Sequence, residues 1–205
     1  IVNSMKRIFA LSGALVLMFT LAATGQQVQR CHTTEYVESL KNADPDLERR
    51  MQVAKQQAKV YKNVNHGSRA QRNIITIPVV VHVMHNGENV GQGTNISDAQ
   101  ILSQIEVLNE DFRATNTDLS DVPVHFNTVI ADVGVEFCLA QFDPDGNPTD
   151  GIDRIDLNGS NWSDNLKAST TWDPDSYLNI WVADISGGTL GYATFPGTGP
   201  ASDGV

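Results

Sequence analysis

Five histidines, His32, His66, His82, His85 and His125, are the first residues to weigh for chemistry. No two stand four apart, the spacing by which an H-E-x-x-H helix turns two imidazoles toward one metal. His82 and His85 fall in an apolar, β-branched run. A strand there sends them to opposite faces, so they cannot share a metal. His82 is expected to be a hydrogen-bonded histidine on a sheet face. Asp143, Asp145, Asn147 and Asp150 are spaced somewhat like a calcium loop, but the later ligands, including the terminal Glu, are missing. With Pro144, Gly146 and Pro148 among them, a tight turn is the expected structure. There is no G-x-S-x-G, and the spacing pairs no cysteine with a histidine. Nineteen acids beyond residue 73 leave paired carboxylates for glycoside hydrolysis as a weak third option.

The first residues are an address rather than a site. Lys6 and Arg7 precede an apolar run, Ile8 to Ala23, and Ala23-Thr24-Gly25 places small residues at a cleavage site. The run is shorter than the ~20 residues needed to span a bilayer. Residues 1–25 therefore read as a secretory signal peptide cut after Gly25, with Met5 as the natural start. The product is expected to be secreted, with no membrane attachment after signal removal.

The formal charge of −10 hides an asymmetry. Residues 1–73 carry eleven Lys/Arg against five Asp/Glu, and residues 74–205 carry three against nineteen. The acidic part excludes a nucleic-acid partner, because phosphate binding needs clustered cations. Two readings of the split stay open. The basic part is a solvated tail, or it docks on the acidic part.

Two cysteines, Cys31 and Cys138, also leave two readings. In an exported chain the default is a Cys31–Cys138 disulfide. Cys31, however, stands between Arg30 and His32 in a removable basic segment. A thiolate there can occupy the open ligand position of a catalytic zinc and displace its water.

The elements that position these residues follow from periodicity. Asp44 as N-cap, Pro45, and acids Asp46 and Glu48 start a helix that carries Lys55, Lys59 and Lys62 near its end. Leu47, Met51, Ala54, Ala58 and Tyr61 make a thin stripe that must lie against something else. Asn63 to Arg72 reads as an exposed linker, with cleavage expected near Arg69 or Arg72. Ile74 to Met84 is apolar on both faces and marks a buried central strand. Ser97, with Gln100 and the pair Ile96 and Ile101, opens a helix that runs to Phe112. Its inward residues are expected to be Ile101, Leu102, Ile105, Leu108 and Phe112. Val133–Phe142, Ile152–Leu157 and Tyr177–Ile185 read as further strands, and Gly191 to Phe195 as an edge strand between glycine-rich turns. One long helix covers too little of this sheet, so the domain is expected to be incomplete.

Residues 74–205 resemble the first part of the catalytic domain of the pappalysin (ulilysin-like) family of metzincin zinc metallopeptidases. The matching stretches are IPVVVHVMHN (77–86), ISDAQILSQIEVLNEDFRATN (96–116), VEFCLAQFDPDGNPTDGIDRI (135–155), YLNIWVADI (177–185) and GYATFPG (191–197). RCHTTEY (30–36) resembles the start of the family's pro-segment. The resemblance implies an α+β fold: a metzincin-like N-terminal subdomain of twisted mixed β-sheet with one long helix. A signal peptide (1–25) and a helical pro-segment (26–72) precede the catalytic part (73–205). It implies the N-terminal part of a secreted zinc-dependent endopeptidase zymogen that hydrolyses peptide bonds through a zinc-activated water. The family's H-E-x-x-H-x-x-G-x-x-H motif does not occur here, so no catalytic residue is carried over and the fragment itself is expected to be inactive. Zinc is the implied cofactor and calcium an option in the parent. Peptide or protein substrates and the chain's own pro-segment are the implied partners. Two site assignments follow. Cys31 matches the cysteine-switch thiol, and Gly191, Tyr192, Ala193, Thr194 and Phe195 match the edge where substrate backbone adds as a strand. The alternative function is a secreted or surface-attached binding module with a cleavable basic leader.

Overall fold

The computed structural model describes residues 31–65, 74–199, 201 and 203–205. The signal peptide, His66, Arg69 and Arg72 lie outside the described residues.

The sheet is organised around one strand. β1 (Ile75–His85) is hydrogen-bonded to each of the other three. Its first half pairs with β2 (Val135–Leu139), its second half with β3 (Ile152–Asp156), and its middle with β4 (Leu178–Val182). All three ladders are parallel. The backbone of residues 75, 79, 81 and 85 bonds in turn to Gly134, Ala140, Gly151 and Leu157. These residues are all odd-numbered, so β2 and β3 follow one another along a single edge of β1. Their junction is tight. A Cβ on Gly151 (φ +74°) would lie 2.6 Å from the Ala140 nitrogen. Glycine alone fits a left-handed backbone at that approach.

A central strand in a parallel sheet is covered on both faces, which explains why the alternation of β1 is masked by Val79 to Met84. Val79, Val81 and Val83 point to the face covered by α3 (Asp98–Phe112) and pack with Ile101, Ile105 and Phe137. Burying each of these isoleucines contributes roughly 1.5–3 kcal/mol. α3 begins as its sequence requires: the Ser97 hydroxyl accepts from the Gln100 N–H at 3.2 Å, and Ile96 packs into the core. Leu102, expected inward, is 54% exposed, because it lies one residue off the stripe set by Ile101 and Ile105. Phe112 closes the end of the helix edge-on to Phe137, with centroids 4.9 Å apart.

The other face of β1 carries Val80, His82 and Met84, joined by Asn179 and Trp181 of β4, all buried. α4 (Asp164–Thr170) brings Lys167 against Trp181, and Val205 exchanges two backbone bonds with Asn179 and Trp181.

The N-terminal part forms two helices where one was expected. They are α1 (Thr33–Ala43) and α2 (Leu47–Asn65). Asp44 caps the end of α1, its N–H bonding the Leu40 carbonyl, while its carboxylate accepts from the Asp46 N–H at 3.0 Å. Val37, Leu47 and Met51 form a small second core. The stripe stops there: Tyr61, expected on it, is 72% exposed. Among the described residues no helix is long and apolar enough to cross a membrane.

Candidate functional site

Residues 189–199, between β4 and the last described residues, are where the N-terminal part meets the domain. Cys31 and Gly191 form a single parallel bridge, and the His32 N–H donates to the Gly191 carbonyl at 3.2 Å. The Ala193 N–H donates to the Thr33 hydroxyl at 3.1 Å. The Tyr36 ring lies 4.7 Å from that of Tyr192. Farther along, Arg50 Nε donates to the Gly197 carbonyl at 2.9 Å, and its other end pairs with Asp44. The backbone of Met51 is so close that a Cβ on Gly197 would lie 2.9 Å from its nitrogen. The described part of the N-terminal segment is thus docked on the domain.

The segment Gly191–Phe195 is not a continuous strand. One rung at Gly191 is its only ladder contact among the described residues. The chain that could extend the rung turns into α1 at Thr33, which removes its backbone from pairing. Thr194 bonds instead to Gly204, in both directions through its backbone and hydroxyl. Phe195 is exposed.

Tyr192 is the best-anchored residue of the five. Its hydroxyl donates to Asp164 at 2.6 Å and accepts from Trp162 Nε1 at 3.1 Å. Burial, then the bond to Asp164, pushes its pKa well above the ordinary tyrosine value. It stays a neutral hydrogen-bond donor. Lys167, beside it, has its pKa lowered by burial, with Asp164 and Asp203 opposing.

No disulfide joins Cys31 and Cys138 in this structure. The reason is placement: Cys138 pairs with Pro78 inside the sheet, while Cys31 is paired to Gly191. The Cys31 thiol pKa is lowered by its hydrogen bond to the Thr33 hydroxyl (3.5 Å) and then by the Thr33 backbone, against Glu35. It is exposed, and such a thiol is a competent metal ligand. Zinc needs three or four such groups. Among the described residues no three His, Cys, Asp or Glu side chains converge on a metal-sized site. The described residues therefore do not by themselves make up a zinc centre.

The remaining candidates are structural. His82 is fully buried, with Nδ1 3.0 Å from Asp153 and Nε2 3.0 Å from the Asn179 side-chain oxygen. Its ring stacks on Trp181 at 5.2 Å. Asp143 accepts from the backbone N–H groups of Asp145 and Asn147 and from the Asn147 amide, which uses its carboxylate to tie a turn. Its pKa is lowered by these bonds, the Asn147 side chain first.

Tannerella forsythia promirolysin, in a point-mutant form, shares this architecture at 38% identity and a TM-score of 0.69. The match covers 86% of this chain and 58% of that one. Mature mirolysin of the same organism, in complex with a cleaved peptide, matches at 44% identity and a TM-score of 0.59, over 65% of this chain and 52% of that one. Mirolysin in complex with a small compound matches at 44% identity and a TM-score of 0.56, over the same shares. The chain thus spans between half and three-fifths of the proteins it resembles. The α+β fold with its open, parallel-dominated sheet is that of promirolysin, and its structural neighbours are peptidases. No family model and no curated protein matches the chain.

Sequence reasoning missed Lys167 and the Tyr36–Tyr192 contact. Lys167 is one of only three cations after residue 73, and an isolated cation in an acidic domain was the signal available.

Proposed function

We propose that this chain is the leader and N-terminal domain part of a secreted zinc metallopeptidase zymogen of the pappalysin type. Residues 26–72 are its pro-segment and residues 73–205 belong to its catalytic domain. The observation that carries the reading is the backbone pairing of Cys31 and His32 with Gly191. The basic segment lies along the residues assigned to hold substrate backbone, Gly191 to Phe195, and a peptide substrate would need the same backbone groups. The matched share of this chain rises from 65% with mature mirolysin to 86% with the proform, as a leader present only in the proform would make it.

In this reading the zinc ligands and the general base come from outside the described residues. Cys31, with its acidified thiol, is the pro-segment's ligand toward that metal. Cleavage near Arg69 or Arg72 releases the pro-segment. Calcium, where the parent binds it, is held elsewhere.

The test uses the parent protein carrying these 205 residues. After cleavage between the two parts it should hydrolyse casein, and a chelator should abolish that activity. Cys31→Ser should raise activity before cleavage. Chelator-insensitive hydrolysis, or none at all after cleavage, overturns the reading.

A further inference from the structure

Lys167 is 1% exposed, and its ammonium has no hydrogen-bond partner. A buried ammonium without one is costly, so its surroundings need an account. Three ring faces surround it: Tyr192 at 4.5 Å, Trp181 at 5.1 Å and Tyr36 at 5.3 Å. Each is within cation–π range. Two of the rings belong to the domain, and the third, Tyr36, comes from α1 of the N-terminal segment. A cavity of about 260 Å³ adjoins them, lined by Trp162, Val182 and Leu190 as well as by Lys167, Trp181 and Tyr192. It also reaches Gly191, the residue paired with Cys31. Once the N-terminal segment leaves, the ammonium loses one of its three ring faces beside the edge assigned to peptides.

We propose that Lys167 and Tyr192, with Trp181 against Lys167, form a subsite for an aromatic side chain of a peptide ligand, which Tyr36 occupies from within the same chain. This rests on reading Gly191–Phe195 as the peptide-binding edge. The ligand is aromatic rather than anionic for two reasons. The groups around this place include the Tyr192 and Trp181 rings and Lys167 itself. Asp164 and Asp203 already act on Lys167 electrostatically, and they would repel a carboxylate.

The experiment vacates the box in the full 205-residue chain with Tyr36→Ala. p-Cresol is then titrated while tryptophan fluorescence is followed, since the Trp181 ring lies 5.1 Å from the Lys167 ammonium. Saturable binding is expected with a Kd on the order of a millimolar, about tenfold or more tighter than to the unsubstituted chain, where Tyr36 is the occupant. 4-Methylcyclohexanol has the same shape without a π face and should bind several-fold more weakly. Adding Lys167→Met should erase that difference. If Tyr36→Ala does not fold, Tyr36→Leu keeps the apolar stem, frees the outer half of the ring site, and is titrated in the same way. Equal binding of p-cresol by the substituted and unsubstituted chains overturns the proposal. So does equal binding of the two probes, or tighter binding of p-toluate than of p-cresol. No hydrolysis is read, so failure of the subsite and failure of the peptidase reading are separate observations.

Discussion

Cys31 and Gly191 form one rung of parallel sheet, with the His32 N–H 3.2 Å from the Gly191 carbonyl. The rung is short because α1 begins at Thr33. Thr33 therefore has two tasks. Its hydroxyl accepts from the Ala193 N–H and, 3.5 Å from the Cys31 sulfur, can turn its own proton toward the thiolate.

The thiol of Cys31 should respond to that hydroxyl. Thr33 is the largest cause of its lowered pKa. Thr33→Val should return the thiol toward the ordinary range and reduce its thiolate fraction at neutral pH. Alkylation of Cys31 by iodoacetamide should slow several-fold, with Cys138 in the same chain as the internal control.

Gly197 should govern docking of the N-terminal helices. Its φ of +107° and the 2.9 Å approach to the Met51 nitrogen leave no room for a side chain. Gly197→Val should cost about 1–3 kcal/mol in backbone strain and contact. The loss falls on the α2 contact, so the sheet should remain folded. Limited proteolysis should remove the N-terminal segment faster, while near-ultraviolet dichroism of the domain tryptophans stays largely unchanged.

Lys167 and Tyr192 give the folded chain an alkaline stability profile. The Lys167 pKa is depressed on folding, so the unfolded chain binds more protons between its folded value and the ordinary 10.5. Stability therefore rises with pH across that window. The Tyr192 pKa is raised on folding above the ordinary 10.0, so its contribution is present below that value and lost as pH rises beyond it. Thermal unfolding should show a maximum near pH 10. Lys167→Met should remove the rise and, at neutral pH, leave stability equal or higher by about 1–3 kcal/mol.

Asn109 should hold α3 to β2. Its amide donates to the Phe137 carbonyl at 2.9 Å, and its oxygen accepts from the Phe137 N–H at 2.6 Å. Asn109→Ala leaves both strand groups without partners. A loss of about 2–3 kcal/mol is expected, measured by urea unfolding. Asn109→Asp should recover little, because it restores the acceptor but not the donor.

Much of the fold was legible. β1 showed itself by an apolar run too long for a one-sided strand, and the start of α3 by Ser97, Gln100 and Ile96. Strands β2, β3 and β4 all fall within the expected spans, each one to five residues shorter in total. α1 was missed. Its sequence, TTEYVESLKNA, carries Tyr36, Val37, Leu40 and Ala43 at helical spacing, but it opens at His32 without a side-chain cap, so no start signal marks it. The segment Gly191–Phe195, expected as an edge strand, makes one rung of sheet, and that rung is to the N-terminal segment. Pairing there depends on a partner more than 150 residues away.

The sequence by itself determined the layering of the domain and the opposition of charge between its two parts. Local periodicity, capping side chains and composition act over a few residues and can be read along the chain. Only the tertiary structure decided that Cys31 meets Gly191 rather than Cys138, and that Lys167 sits among Tyr36, Trp181 and Tyr192. Those contacts join residues far apart in sequence. Their energies come from burial and backbone geometry that exist only once the helices and the sheet have packed.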